Sequence, residues 1–184
     1  MRVLIVYGTV EGQTRKIAEY IGQIAGEAGH AVDLRDAATL APDASIGKPD
    51  AVIIGAPVHQ GRHPAALRHF VTAHAATLQA LPTGFFSVSL ASVLTGEEHL
   101  AEGRKYVEGF CAETGWTPGV TALVAGALRY SQYDFFKRFI MKLIAREQGG
   151  DTDTSRDYEY TDWSQVRQFA HDVLALAARG IGTS

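Results

Sequence analysis

One cysteine, Cys111, stands among 184 residues, so no internal disulfide can form and a reducing compartment is expected. Nothing approaches the roughly 18 consecutive apolar residues that a membrane-spanning helix needs. The opening run Met1-Arg2-Val3-Leu4-Ile5-Val6-Tyr7 is too short for a secretory leader and reads as a buried strand. Positive charge is not in excess either. A formal net charge of -3 gives no general case for nucleic-acid binding. What is present is ordinary globular composition, 46% hydrophobic and 20% charged, in a chain long enough to bury one sizeable core.

Strand-like apolar runs alternate with helix-period stretches along the whole chain. Strands are expected at Arg2 to Tyr7, Ala31 to Arg35, Asp50 to Gly55, Phe85 to Leu90 and Val120 to Ala125. Between them, Gln13 to Ala28 places Ile17, Tyr20, Ile21 and Ile24 on one helix face and stops at Gly29. Pro64 suits the first turn of a helix running to about Ala80, and Glu98 to Thr114 forms another. A last helix opens at Asp162, whose side chain can cap it, and runs to about Ala178. Continuous β-branched strands separated by helices imply a parallel sheet covered on both faces. Five such units fit a doubly wound α/β fold of strand order 2-1-3-4-5. No repeat, low-complexity tract or linker interrupts it, so residues 1–184 are expected to form one domain.

One segment exceeds that scheme. About 128–161 lies between the fifth strand and the last helix, far longer than an ordinary connection. Asp134 to Glu147 has helical period, with Phe135, Phe136, Phe139, Ile140, Leu143 and Ile144 covering one side and Lys137, Arg138 and Lys142 the other. From Arg129 to Glu147 five basic residues stand against two acidic ones, a balance of +3 inside a chain of net charge -3. A helical insert with an apolar face and a basic face is therefore expected before the last helix.

The strongest local motif is Tyr7-Gly8-Thr9-Val10-Glu11-Gly12-Gln13-Thr14, which joins the first strand to the first helix. Helix N-termini offer unpaired N–H groups and the positive end of the dipole to a phosphate. Thr9 and Thr14 add hydroxyls, and Gly12 lets the backbone curl around an anion. The loop lacks the Gly-Lys-Ser/Thr ending of a nucleoside triphosphate loop, and Gly8 and Gly12 are wrongly spaced for the dinucleotide fingerprint. A well-capped turn without a ligand remains the competing account. The loop resembles that of the flavodoxins, where a hydroxyl-rich turn of this length holds the FMN phosphate without a lysine. Glu11 and Gln13 depart from the Thr and Asn common in that family. The resemblance implies an FMN cofactor held by Thr9, Val10, Glu11, Gly12, Gln13 and Thr14. It further implies that Pro57, Val58, His59 and Gly61 after the third strand, and Ser89, Leu90, Ala91 and Ser92 after the fourth, flank the flavin ring. His59 stands in for the stacking aromatic that many flavodoxins place there.

No metal site is expected, because His59 and His63 straddle Gly61, abut Pro64 and have no carboxylate or cysteine nearby. His69, His74 and His171 are expected to be solvated, and Trp116 and Trp163 to be packing residues.

The surplus segment makes the resemblance narrower. Gly126-Ala127-Leu128-Arg129-Tyr130, the Tyr133-to-Ile144 helix, Gly149-Gly150-Asp151-Thr152-Asp153-Thr154 and Tyr160-Thr161-Asp162-Trp163 are similar to the bacterial menaquinone-dependent protoporphyrinogen IX dehydrogenases. That likeness implies FMN-dependent oxidation of protoporphyrinogen IX to protoporphyrin IX, with menaquinone as acceptor, in haem biosynthesis. It also implies a cytoplasmic protein with peripheral contact on the inner membrane. Porphyrinogen and quinone are large and apolar, and porphyrinogen carries two propionates. Arg129, Tyr130, Lys137, Arg138 and Lys142 are the candidates to meet substrate or an anionic membrane. A helix that merely packs on the domain explains the same pattern. No side chain presents itself as catalytic acid or base, and a homo-oligomer is left open. An electron carrier without its own substrate, another flavodoxin-like quinone reductase and a flavin-free scaffold are the competing functions.

Overall fold

The computed structural model describes residues 1–89, 97–128 and 158–181. Apolar residues at consecutive positions, not alternate ones, set the architecture. In β1 (Arg2–Tyr7), Val3, Ile5 and Tyr7 project to one face and Leu4 and Val6 to the other, and all five are buried. Such a strand needs cover on both sides. The chain supplies it by following β1 with α1 (Gln13–Glu27), β2 (Ala31–Asp36), β3 (Ala51–Pro57), α2 (Ala65–Gln79), β4 (Thr83–Ser89), α3 (Glu97–Thr114), β5 (Val120–Ala125) and α4 (Trp163–Ile181).

The five strands pair in parallel in the order β2-β1-β3-β4-β5. Tyr7 lies opposite Gly55, and Ala56 opposite Ser87, so the ends of β1, β3 and β4 are level with one another. On one face Val3, Ile5, Phe86, Val88 and Val124 pack with Ile17 and Ile21 of α1 and with Val166, Phe169 and Val173 of α4. On the other, Leu4, Val6, Ile54 and Phe85 pack with Leu67 and Phe70 of α2 and Phe110 of α3, with Trp116 fully buried beneath. Gly55 permits the centre of the sheet to close. A Cβ there would fall 2.1 Å from Cζ of Phe86, so only glycine lets that ring lie over β3.

Three details differ from the sequence expectation. β2 is not covered on both faces: it is the sheet edge, and Val32 and Leu34 stay 37% and 38% exposed. Asp33 and Arg35, on either side of Leu34, pair with each other along that edge. Pro64 does not sit inside helix α2 but just before it, with ψ of 137°. Its fixed φ and missing N–H suit the last non-helical residue as well as the first helical one. Finally, β6 (Ala127–Leu128) and β7 (Tyr158–Glu159) pair antiparallel, joining the two ends of the segment 129–157. Two-residue strands are too short to leave a periodic signal. No helix among the described residues is long and apolar enough to cross a membrane.

Candidate functional site

Level strand ends make a shelf at the carboxyl edge of the sheet, and the chain leaves that shelf in opposite directions after β1 and β3. α1 covers one face and α2 the other, which opens the crevice where ligands of doubly wound sheets bind. Gly8 is pinned there by its N–H, which donates to the Gly55 carbonyl at 2.8 Å. Thr9 Oγ1 then accepts from the Gly12 N–H at 3.0 Å, folding the loop back on itself. Gly12 is the N-cap of α1 and adopts φ 91°, a left-handed conformation that glycine reaches without strain. It carries no side-chain cap, and no acidic residue lies in the first turn of α1. The first-turn N–H groups therefore lack both an intrahelical acceptor and a side-chain one. Thr14 is buried behind them and Val10 is 54% exposed in front. The donor set suits an oxyanion, and a phosphate monoester fits it.

The loop after β3 is built differently. His59 N–H donates to the Arg62 carbonyl at 2.9 Å, and Arg62 N–H donates back to His59 at 3.1 Å. Gln60 at φ 51° and Gly61 at φ 76° make the two-residue turn between them, the primed kind that closes hairpins. Val58 N–H donates to the Val88 carbonyl at 2.7 Å and extends the β3–β4 pairing beyond Pro57. His63 anchors the turn from below. Its ring is 5% exposed, lies edge-on to Phe110 and shares a hydrogen bond of 3.1 Å between Nε2 and Ser87 Oγ. Burial, with the nearby Arg68 guanidinium adding to it, pushes its pKa down to about 4, so it is neutral at pH 7. A cavity of about 380 Å³ lies beside the turn, lined by Arg62, Arg68, Lys105, Tyr106 and Glu113 among others.

A third contact to the shelf comes from far along the chain. Thr161, 8% exposed, donates its hydroxyl to the carbonyl of Ala125 at the end of β5, at 2.8 Å. The same oxygen accepts from Nε2 of Gln13 at 2.8 Å. One turn further on α1, Lys16 Nζ meets Glu159 Oε2 at 2.5 Å and lies over the Trp163 ring. Burial works against ionising Glu159. The hydrogen bond and charge of Lys16, helped by Gln13 and Trp163, outweigh it and hold the carboxyl below the ordinary glutamate value. Asp162 caps α4, as expected, by accepting from the N–H groups of Ser164 and Gln165.

The structure thus brings Thr9 to Thr14, Pro57 to Gly61 and Ser89 to one edge of three adjacent strands. Leu90, Ala91, Ser92, Arg129, Tyr130, Lys137, Arg138 and Lys142 lie outside the described residues. Trp116 and Trp163 are packing residues, the latter edge-on to Tyr20. His74 is not free in solvent: it stacks on Phe70 and its Nδ1 lies 2.9 Å from the Phe70 carbonyl. The sequence reading missed Glu159 and Thr161. The only signal available was a polar Thr beside the cap Asp162, which points to a helix start and not to a partner 148 residues away.

Comparison with known proteins adds to this geometry. Residues 4–155 match the flavodoxin domain family. The chain is 36% identical over 176 residues to a protoporphyrinogen IX dehydrogenase [quinone] of Escherichia coli strain K12, covering 96% of each. It is 33% identical over 179 residues to the protein of that name from Leishmania major, covering 95% of this chain and 75% of that one. Among solved structures, a short-chain flavodoxin associated with a bacterial microcompartment superposes with a TM-score of 0.60 at 14% identity, covering 96% of this chain and 99% of the other. At that identity the likeness speaks for the fold alone.

Proposed function

The chain belongs to the flavodoxin domain family, and from that premise we propose that it is an FMN-dependent dehydrogenase. Its reaction is the oxidation of protoporphyrinogen IX to protoporphyrin IX with a quinone, menaquinone, as acceptor, a late step of haem biosynthesis. The observation that carries this reading is the full-length likeness to quinone-linked protoporphyrinogen IX dehydrogenases, which extends through the segment beyond β5. The uncapped, glycine-led start of α1 supports the cofactor half, because it offers N–H donors and the positive end of the helix dipole to an anion.

Bound FMN supplies the two-electron chemistry, three rounds of which make up the six-electron oxidation. The chain's own residues bind and orient. Thr9, Thr14 and the amides of Val10, Glu11 and Gln13 hold the phosphate, around the turn that Gly12 makes with Thr9. Pro57, Val58, His59 and Gly61 wall one edge of the ring, and Ser89 with Leu90, Ala91 and Ser92 walls another. The hairpin turn keeps the first wall rigid, since its polar backbone is already paired. His63 is neutral and bonded to Ser87, so it fixes the wall and moves no proton. Arg129, Tyr130, Lys137, Arg138 and Lys142 meet the propionates of the substrate or an anionic membrane surface. Arg62 and Lys105, whose side chains make no ion pair among the described residues, add two cations beside Gly61. Residues 1–184 act as one flavodoxin-like domain carrying the insert at about 128–161.

An electron carrier uses the same cofactor loop, so turnover separates the two readings. FMN-loaded protein is mixed anaerobically with protoporphyrinogen IX and a menaquinone analogue, and porphyrin fluorescence is followed. A rise that needs both protein and quinone is expected. No rise above the no-protein control, with FMN confirmed bound, overturns the dehydrogenase and leaves the carrier.

A further inference from the structure

α1 begins without a side-chain cap, and within the Thr9–Thr14 loop the Thr9–Gly12 bond ties only the residue before its first turn. A further tie reaches that first turn from outside the loop. Gln13, the first residue of α1, is held at its side-chain amide by Thr161. Thr161 is in turn fixed to the sheet, because its hydroxyl proton goes to the Ala125 carbonyl and its lone pair receives Gln13. The chain carrying Thr161 is placed by the β6–β7 pairing and by Tyr160 N–H, which donates to the Gly126 carbonyl at 3.3 Å. One turn on, the Lys16–Glu159 ion pair repeats the tie on the same face of α1. Two successive turns of one helix are therefore bound to a single four-residue limb, and that limb is bound to the end of β5.

We propose that Gln13 and Thr161 are positioning residues for the phosphate loop. They hold the amide donors of the first turn of α1 in register with the sheet, so the affinity for a phosphate monoester depends on a limb 148 residues distant. The inference rests on the cofactor reading above. Neither side chain needs to touch the cofactor for it to hold. A buried threonine with both hydrogen-bonding roles filled is a rigid strut, since its rotamer is locked by a donor and an acceptor at once. Removing the hydroxyl takes away the bond that links Gln13 through Thr161 to the sheet and leaves the Ala125 carbonyl without it.

The test compares FMN with riboflavin, which has the ring and lacks the phosphate. Flavin fluorescence titrations are run on the parent, Thr161→Val, Thr161→Ser and Gln13→Ala, with thermal melts confirming that each is folded. Thr161→Val and Gln13→Ala are each expected to weaken FMN binding roughly tenfold while leaving riboflavin affinity unchanged. Thr161→Ser, which keeps the hydroxyl, restores FMN affinity to within about threefold of the parent. The double variant Thr161→Val with Gln13→Ala loses less than the sum of the two single losses, because both single changes break the Gln13–Thr161 contact. Equal losses for FMN and riboflavin, or no loss for FMN, overturn the proposal and leave the cofactor reading intact. A parent protein that binds no FMN overturns both. Failure of quinone-linked turnover with the FMN pattern as expected sinks only the dehydrogenase reading.

Discussion

The two loops at the carboxyl edge of the sheet solve opposite problems. The turn after β3 closes on itself: His59 and Arg62 exchange backbone hydrogen bonds, Val58 is tied to Val88, and His63 is nailed to Ser87 from below. The loop after β1 stays open. Its one internal side-chain bond joins Thr9 to Gly12, its helix start is uncapped, and its orientation is borrowed from Gln13 and Thr161. A wall for a flat ring benefits from a shape that does not change when the ring leaves. A cradle for an anion must keep donors unspent, and donors kept unspent cannot also brace the loop that carries them. The bracing therefore comes from elsewhere in the chain.

Acid should break the self-contained loop first. In the folded protein His63 titrates near 4, against 6.5 for an unhindered histidine. The unfolded chain therefore takes up the proton first as pH falls. The stability held at neutral pH declines from about 6.5 downward and levels off near 4, by on the order of 3 kcal/mol. Urea denaturation of the parent against His63→Gln across that range measures it. A pH profile that stays the same in His63→Gln would show that the anchor lies elsewhere.

Emptying the cradle of its hydroxyls comes next in size. Thr9→Ala with Thr14→Ala should weaken FMN by roughly tenfold to thirtyfold, about 1.5–2 kcal/mol, with little change in melting temperature of the unloaded protein. Unchanged affinity in a fluorescence titration would mean that backbone amides alone hold the phosphate. The smallest effect sharpens the contrast from the other side. Gln60 adopts φ 51°, a region where side chains carry strain. Gln60→Gly should stabilise the turn by about 0.5 kcal/mol in urea denaturation, net of the extra freedom glycine gains in the unfolded chain. A loss of stability would mean that the Gln60 side chain makes contacts worth more than its backbone strain.

Much of this was legible in the residues. Val3 to Tyr7, Ala51 to Ala56 and Phe85 to Val88 announce buried parallel strands because none carries a charged residue that needs an exposed face. β2 was legible as a strand from Ala31 to Arg35, but its place at the sheet edge, with Val32 and Leu34 partly in solvent, was not. The loop after β1 was legible as a tight strand-to-helix turn, because Gly12 stands just before a helix-period stretch and adopts φ 91° there. Thr161 and Glu159 were not. Hydrogen bonds to Gln13 and Lys16 depend on where the sheet order brings the last limb, and no local pattern encodes a contact across the whole fold. His63 was read with His59 as a candidate metal pair and set aside. Its bond to Ser87 follows from the register of β3 on β4, which sequence spacing does not report.

The short pairing of Ala127–Leu128 with Tyr158–Glu159 also has a consequence for how such a protein can change over generations. Once those ends are joined, the domain experiences the intervening stretch as a graft with a fixed socket. Loop-closure cost grows only with the logarithm of length, about 0.6 kcal/mol for each doubling. A change in the length of chain between the two strands therefore adds little to the cost of closing them.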